Sequence, residues 1–293
     1  MRRPFDYIIE KLVFFSGVAS ILFVILIFVF LLKEGLSLFG EVSIQSFLFN
    51  VNWFPISDPP QFGIVPLLLG SLFVTLGAIV IAVPMGLAAA IYISEFAPRW
   101  FANILKTGIE LLAAIPSIVL GFIGIVTLAP FLKTVFRLPS GLTALAGSIM
   151  LAFMAMPTIV SIIEDAIVSN PKSYKEGSLA LGATRWQTVY RVTIPAASSG
   201  ILAAIMLGIG RVIGETMAVL MITGNAAVIP TSFLQPVRTL TATIAAEMGE
   251  AVAGSGHYYS LFAIGIILFI ISFIINLLAD LFLHRSRKGK RKR

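Results

Sequence analysis

The sequence lacks cysteine and has little charge. Without cysteine it can form no disulfide, no thiolate zinc site and no cysteine nucleophile, and its two histidines, His257 and His284, are too few for a histidine-rich metal site. We therefore expect no catalytic residue, no metal and no cofactor. Charged residues are 12% of the 293 residues, against about 25% in soluble domains. With 58% hydrophobic residues and a mean hydropathy of +0.99, this excludes a cytosolic enzyme and a nucleic-acid-binding domain and indicates a polytopic membrane protein.

Six apolar stretches are long enough to cross a membrane as helices. Helix is the expected conformation because backbone groups in lipid must be hydrogen-bonded within the segment. The first stretch is too long for a signal peptide and follows two acids, so we expect it to be retained. The predicted fold is all-α, in three parts: residues 1–63, 64–283 and a basic tail, 284–293. The stretches are 12–32, a part of 64–93, 111–132, 140–163, 196–222 and 258–283.

The distribution of lysine and arginine predicts the orientation. With the N-terminus inside, the inner segments hold 16 of these residues and the outer segments hold four. Seven of the inner ones lie in the last nine residues, where a flank beside the inner leaflet is favoured over a nucleic-acid-binding tail. Both termini are therefore predicted to be cytoplasmic.

The inner loop 164–195 contains the start and stop signals of two short helices. Asn170-Pro171 is typical of a helix start with proline in the first turn. Gly182 is typical of a helix end, and Thr184 with Gln187 of a capping box. Pro195 should then open the fifth membrane helix. Apolar side chains presented on this loop favour a docking site for another protein over a solvated loop; they are Leu179, Leu181, Trp186 and Tyr190.

The same loop resembles the EAA motif of ABC-importer permeases. Glu176, Gly182 and Pro195 stand at the spacing of that motif, whereas Gly177 and Ser178 replace its two alanines. The resemblance implies that the segment, including Ala180, is the coupling helix that sits in a cleft of a separate ATPase subunit. Independently, the sequence has no G-x-x-x-x-G-K-[ST] phosphate loop, so energy must come from a partner or an ion gradient.

The fifth stretch carries a charged pair inside a membrane helix. A central arginine costs about 2.5–3.5 kcal/mol on insertion scales, so Arg211 is expected to face inward. Glu215 is four residues on, which predicts one helix face and an ion pair. Gly210 and Gly214 form a G-x-x-x-G step that permits close helix approach. Arg211 has the geometry to bind an oxyanion, because its planar guanidinium can donate two parallel hydrogen bonds. The alternative is a buried pair that only fixes helix packing.

The run from Gly208 to Ala218 resembles the fifth-helix signature of phosphate ABC-transporter permeases, in the form of the PstC subunit. Other fragments agree with this family: 53–55 before 62–63, 92–98, 110–117 and 238–244. The resemblance implies a type I ABC-importer core of five helices with one additional N-terminal helix. It also implies that Arg211, Glu215 and Thr216 lie on the substrate pathway.

The partners implied are inorganic phosphate, a second permease like PstA, two ATPase subunits like PstB and an extracytoplasmic phosphate-binding protein like PstS. The chain itself would be a cell-membrane permease and not an enzyme, and would bind no nucleic acid. Two alternatives stay open. The substrate could be another oxyanion such as sulfate or molybdate, or the chain could be a secondary transporter driven by an ion gradient.

Other polar residues have several interpretations. Arg238 and Thr239, on the outer segment 224–257, could contact phosphate or a delivery protein, or belong to a structured loop. The run 237–252 in that segment could be a short re-entrant or surface helix. Glu164 and Asp165 are expected on a solvated face, and His257 at the membrane interface beside Tyr258.

Overall fold

A computed structural model describes residues 4–290 of the chain; at 4–8, 279–280 and 282–290 it describes the backbone alone. Basic residues 291–293 of the predicted tail lie outside the described residues. A two-stranded antiparallel hairpin joins β1 (Trp53–Phe54) to β2 (Gln61–Phe62). The described helices are α1 Pro4–Ser37, α2 Ile44–Phe49, α3 Val65–Ile91, α4 Arg99–Ala114, α5 Ser117–Ile123, α6 Ala129–Val135, α7 Ala144–Val168, α8 Lys172–Ala180, α9 Arg185–Thr188, α10 Ile194–Ile213, α11 Met217–Ile222, α12 Leu240–Glu247 and α13 Gly256–Lys290.

Within the described residues, six helical segments are long and apolar enough to cross a membrane, as predicted. Three of them include a wide π-helical turn that continues or joins helices, at Tyr92–Phe96, Gly124–Leu128 and Val189–Thr193. The segments are Ile9–Gly40, Val65–Phe96, Ser117–Val135, Ala144–Val168, Arg185–Ile213 and Gly256–Leu278.

The third stretch begins later than predicted. The chain is extended at Ile115 and Pro116, so the residues from 111 to 114 belong to α4 and the spanning segment starts at Ser117. Proline disfavours helix at the residue before it, which explains the break. Because α4 is a separate amphipathic helix, its apolar residues extended the predicted stretch by about one and a half turns.

The core is built around α7, which packs against α3 and α10. Small residues on α3 allow the close approach, since Ala78 and Ala82 are fully buried. The Ser148 hydroxyl of α7 donates to the carbonyl of Val74 in α3 at 3.1 Å. Helix α1 instead lies at the periphery and contacts α13, where Phe28 and Phe269 stack with ring centroids 4.6 Å apart. This arrangement fits an additional N-terminal helix beside a five-helix core.

The predicted continuous fifth helix is wrong, because α10 ends at Ile213 and α11 begins only at Met217. Gly214 caps the first helix, and Glu215 and Thr216 form the link between the two. Glycine costs about 1 kcal/mol in a helix interior, so Gly210 weakens this end of α10. The outer segment that follows contains the short helix α12 within the predicted run 237–252, and its first four residues are buried.

Candidate functional site

Arg211 lies in the last turn of α10, with its side chain exposed on the surface of the chain. Its Nη1 donates to the hydroxyl of Thr158 on α7 at 2.9 Å. Among the described residues no ion pair joins Arg211 to Glu215, so the predicted pairing is wrong. The physical reason is the break in the helix: residues four apart share a face only while the helix continues.

Glu215 instead stabilises the break. Its carboxylate accepts from the backbone N–H of Ala218 at 3.2 Å, and the hydroxyl of Thr241 donates to its carbonyl at 2.7 Å. Thr216, the third predicted pathway residue, donates its hydroxyl to the carbonyl of Gly214 at 3.2 Å. Glu215 also lines a small polar cavity of about 10 Å³, together with hydroxyl groups from α3 and from the start of α12. These groups belong to Ser71, Thr75, Thr239 and Thr241.

One face of α10 is packed and the other is open. A Cβ on Gly208 would lie 2.8 Å from the Ile159 side chain, whereas a Cβ on Gly210 would have no neighbour within 4 Å. The predicted close approach at Gly210 and Gly214 is therefore not made by any helix among the described residues. The exposed residues of α10 include Leu207, 44% exposed, one turn before Arg211. A guanidinium on the surface of a spanning helix is costly in lipid, so this face requires cover by another chain or by water.

The inner loop forms the two predicted helices, α8 and α9. Gly182 has φ +84°, the left-handed conformation that ends α8, and Thr184 and Gln187 form the predicted capping box before α9. Pro195 lies in the first turn of α10 but does not open the fifth spanning segment, so that prediction is wrong. The segment begins at Arg185 and continues through the π-helical turn Val189–Thr193 into α10. Pro171 is the residue before the first turn of α8 and not a residue within it.

The predicted coupling residues lie together on the surface of this loop. Glu176, Gly177, Ala180 and Gly182 are exposed. Leu181, between them, is 91% exposed, and Trp186 on α9 is 62% exposed. Ser178 is half-buried, and its hydroxyl lies 3.0 Å from that of Thr188. This contact joins α8 to α9. Exposed apolar groups of this size on a capped turn are typical of a protein-docking surface.

Two ion pairs attach the inner loop and α4 to the core. Lys175 of α8 pairs with Glu95 at the end of the second spanning segment. Lys106 of α4 pairs with Glu164 of α7 at 2.8 Å. Glu164 is buried, so its predicted position on a solvated face is wrong: α4 folds across it. The hydrogen bond to the Glu164 carboxylate raises the pKa of Lys106 above its ordinary value of 10.5.

The two outer-loop candidates have structural contacts. Arg238 pairs with Glu247 of α12, and its Nε donates to the carbonyl of Asn225 at 3.0 Å. The Thr239 hydroxyl caps α12 by accepting from the N–H of Ala242 at 3.2 Å. These contacts favour the structured-loop alternative. His257 lies at the start of α13, with its Nε2 3.0 Å from the Glu247 carboxylate. Its position at the membrane interface stays a prediction.

The fold is that of a multi-pass membrane protein, with six candidate spanning segments among the described residues. One of these segments carries the exposed Arg211, and the inner loop presents exposed apolar side chains. Residues 82–288 match the family described as the binding-protein-dependent transport system inner membrane component. The chain belongs to this family.

Curated relatives agree with the resemblance found in the sequence. The chain is 38% identical to the phosphate transport system permease protein PstC of Mesorhizobium japonicum over 86% of this chain and 81% of that protein. It is 43% identical to the probable ABC transporter permease protein YqgH of Bacillus subtilis over 85% of this chain and 82% of that protein. The predicted relationship to phosphate ABC-transporter permeases is therefore confirmed.

Solved structures share the fold. A chain of a bacterial alginate ABC transporter, determined in complex with a pentasaccharide-bound periplasmic protein, superposes with a TM-score of 0.65 at 15% identity, covering 98% of both chains. A chain of the MetNI methionine ABC transporter gives a TM-score of 0.57 at 21% identity over 76% of this chain and 94% of that one. The predicted type I importer architecture is thus confirmed, with all six spanning segments.

Proposed function

We propose that this chain is the membrane-spanning permease subunit of an ATP-driven phosphate importer. It would form half of the pathway and would couple to a separate ATPase. The observation that carries the proposal is Arg211, an exposed guanidinium on a spanning helix in a chain related to PstC permeases. Such a group is tolerated where a water-lined pathway or a partner covers it, and its geometry suits phosphate.

The pathway is proposed to run along the open face of α10. Of the donors on the Arg211 guanidinium, one is used by the neutral hydroxyl of Thr158, so others remain for an anion. Glu215 and Thr216, at the break, lie four and five residues further toward the outer segment. A second, PstA-like permease would cover this face and complete the pathway.

Energy is proposed to enter through the inner loop. The turn from Glu176 to Gly182, with Leu181 at its tip, would sit in a cleft of one of two PstB-like ATPase subunits. The ion pair between Lys175 and Glu95 would transmit movement of α8 to the second spanning segment. Both termini would be cytoplasmic, and a PstS-like binding protein would deliver phosphate on the outer side.

Transport in proteoliposomes tests this function. The chain, its proposed second permease and ATPase are reconstituted, and phosphate-binding protein and ATP are supplied on the appropriate sides. We expect ATP-dependent uptake of radiolabelled phosphate, with competition by unlabelled phosphate and not by sulfate or molybdate. Competition by sulfate or molybdate would favour another oxyanion, and uptake without ATP would favour a secondary transporter.

An Arg211→Gln variant tests the residue that carries the proposal. We expect it to assemble with its partners and to lose at least tenfold in phosphate uptake, whereas Arg211→Lys should retain part of the activity because it keeps the charge. Normal uptake by the double variant Arg211→Gln, Glu215→Gln would contradict a role on the pathway.

A further inference from the structure

The outer end of the molecule contains a cleft of about 500 Å³ that the transport pathway does not use. One wall is the turn of the β-hairpin, residues 53–57, and the other is the end of α12 with Glu247 and Glu250. Asn225, Arg238, Ala246 and His257 also line the cleft. We call this the outer cleft.

The floor of the outer cleft is a closed network around Glu247. Its carboxylate accepts from the Trp53 indole Nε1 at 3.1 Å, pairs with Arg238 and lies 3.0 Å from His257 Nε2. Trp53, from the first outer segment, thus meets Arg238 and His257 of the second outer segment at one side chain that is 14% exposed. Because every group has a partner, the floor is rigid and needs no ligand.

Two acceptors of the outer cleft lack partners. The Oδ1 of Asn225 is buried and has no hydrogen bond among the described residues, although the backbone carbonyl of the same residue accepts from Arg238. An unsatisfied buried acceptor costs about 1–3 kcal/mol, so a donor is expected there. The carboxylate of Glu250 is exposed and forms no ion pair within the described part of the chain. The Asn225 oxygen accepts a hydrogen bond, and the Glu250 carboxylate pairs with a positive charge. A ligand that suits both groups is a cation with N–H donors.

The charge of the two segments that contribute to the outer cleft favours a protein over a lipid as its occupant. Segments 33–63 and 224–257 carry five acidic residues, Glu34, Glu41, Asp58, Glu247 and Glu250, against two basic ones, Lys33 and Arg238. Anionic headgroups would be repelled by this excess. The hairpin turn exposes Ile56 by 83% and Phe54 by 55%, which are apolar anchors of the kind found in protein interfaces.

We propose that the outer cleft receives a lysine or arginine side chain of the extracytoplasmic binding protein, with Glu250 and the Asn225 amide oxygen as its acceptors. This inference rests on the proposed function, which requires such a protein. The related alginate transporter was determined in complex with a periplasmic protein, so docking on this fold has a precedent. The hairpin turn would close over the inserted side chain through Ile56 and Phe54.

Binding of the purified phosphate-binding protein to the assembled transporter in nanodiscs tests the proposal. Glu250→Gln removes the charged acceptor, and Asn225→Gly removes the orphaned oxygen while allowing the positive φ of 50°. Each should raise the Kd at least fivefold, and Glu250→Lys should abolish measurable binding. Glu34→Gln is the matched control, because it removes an outer carboxylate that does not line the outer cleft, and should change the Kd less than twofold.

Cross-linking identifies the occupant. Because the sequence has no cysteine, Ser57→Cys gives one attachment point at the outer cleft for a short photo-cross-linker. Cross-linked binding-protein peptides that contain lysine or arginine are the expected product. Cross-links to lipid alone, or equal Kd values for Glu250→Gln and Glu34→Gln, would overturn the proposal even when the unmodified complex transports phosphate. Failure of that complex to transport phosphate, with these binding results as expected, would overturn the proposed function instead.

Discussion

At the scale of single residues, two arginines with the same side chain have different surroundings. Arg238 is 21% exposed and is engaged by the carboxylate of Glu247 and the carbonyl of Asn225. Arg211 is exposed and contacts one neutral hydroxyl. A guanidinium has five N–H donors, so Arg238 is largely satisfied while Arg211 keeps donors for a ligand. Of these two arginines, Arg211 is therefore the one with donors available to a ligand.

The same substitution at both arginines should separate these roles. Arg238→Gln leaves the half-buried Glu247 carboxylate without its guanidinium partner, although the Trp53 and His257 contacts remain. It should lower the free energy of unfolding by about 2–3 kcal/mol, below the full cost of a broken buried pair because water reaches part of the site. Arg211→Gln should change it by less than about 0.5 kcal/mol. Thermal unfolding of the isolated chain in detergent measures both. Equal losses would show that Arg211 is also a structural residue.

The ion pair of Lys106 and Glu164 gives a second prediction. Lys106→Met leaves the Glu164 carboxylate, 10% exposed, without its partner, so the midpoint of thermal unfolding should fall by several degrees. The double variant Lys106→Met, Glu164→Gln should recover part of the loss, because it also removes the unpaired charge. A double variant no more stable than the single one would mean that the carboxylate is satisfied elsewhere.

The pH dependence of this pair follows from the direction of its shift. Folding raises the pKa of Lys106 above 10.5, so the folded protein holds this proton more tightly than the unfolded chain does. The stabilisation is therefore complete at neutral pH and is lost only as pH rises above 10.5 through the raised pKa. The difference in unfolding midpoint between the parent chain and Lys106→Met should shrink in that alkaline range and stay constant between pH 7 and 9 by the same argument.

At the scale of elements, the starts and ends of the short helices in the inner loop could be predicted from the sequence. The break in the fifth spanning helix could not. The capping box at Thr184 and the stop at Gly182 depend on residues within one turn, so the sequence contains the whole signal. The break after Ile213 depends also on Thr241, which donates to the Glu215 carbonyl from 26 positions along the chain. Hydropathy does not detect such partners, and the apolar run through 222 therefore predicted one helix.

Two glycines of the inner loop should respond oppositely to alanine. A Cβ on Gly177 would meet no atom of the described residues within 4 Å, so Gly177→Ala should stabilise α8 by up to about 1 kcal/mol. Gly182 has φ +84°, where alanine is strained by about 1–2 kcal/mol, so Gly182→Ala should loosen the turn that presents Leu181. Co-purification of the ATPase should fall for Gly182→Ala and persist for Gly177→Ala. Undiminished capture by Gly182→Ala would count against this turn as the docking site.

At the scale of the whole molecule, the long-range assemblies were beyond the reach of sequence patterns. Trp53 and Glu247 are 194 positions apart, and neither residue type is unusual in a loop. The number of spanning segments could be predicted because each is a continuous apolar run. The family could be predicted because its motifs are short stretches of sequence. The outer cleft and the open face of α10 arise only when these segments pack, and so required the structure.

The open face of α10 predicts where the second permease binds. Gly208→Leu places a side chain against Ile159, 2.8 Å from the position of its Cβ, and should destabilise the isolated chain by about 1–3 kcal/mol through overpacking. Gly210→Leu projects into open space and should leave the isolated chain as stable as the parent. If another permease covers this face, Gly210→Leu should nonetheless reduce co-purification with it, because a bulky side chain prevents close helix approach. Normal assembly and transport by Gly210→Leu would mean that lipid covers this face, and that Arg211 is sheltered in some other way.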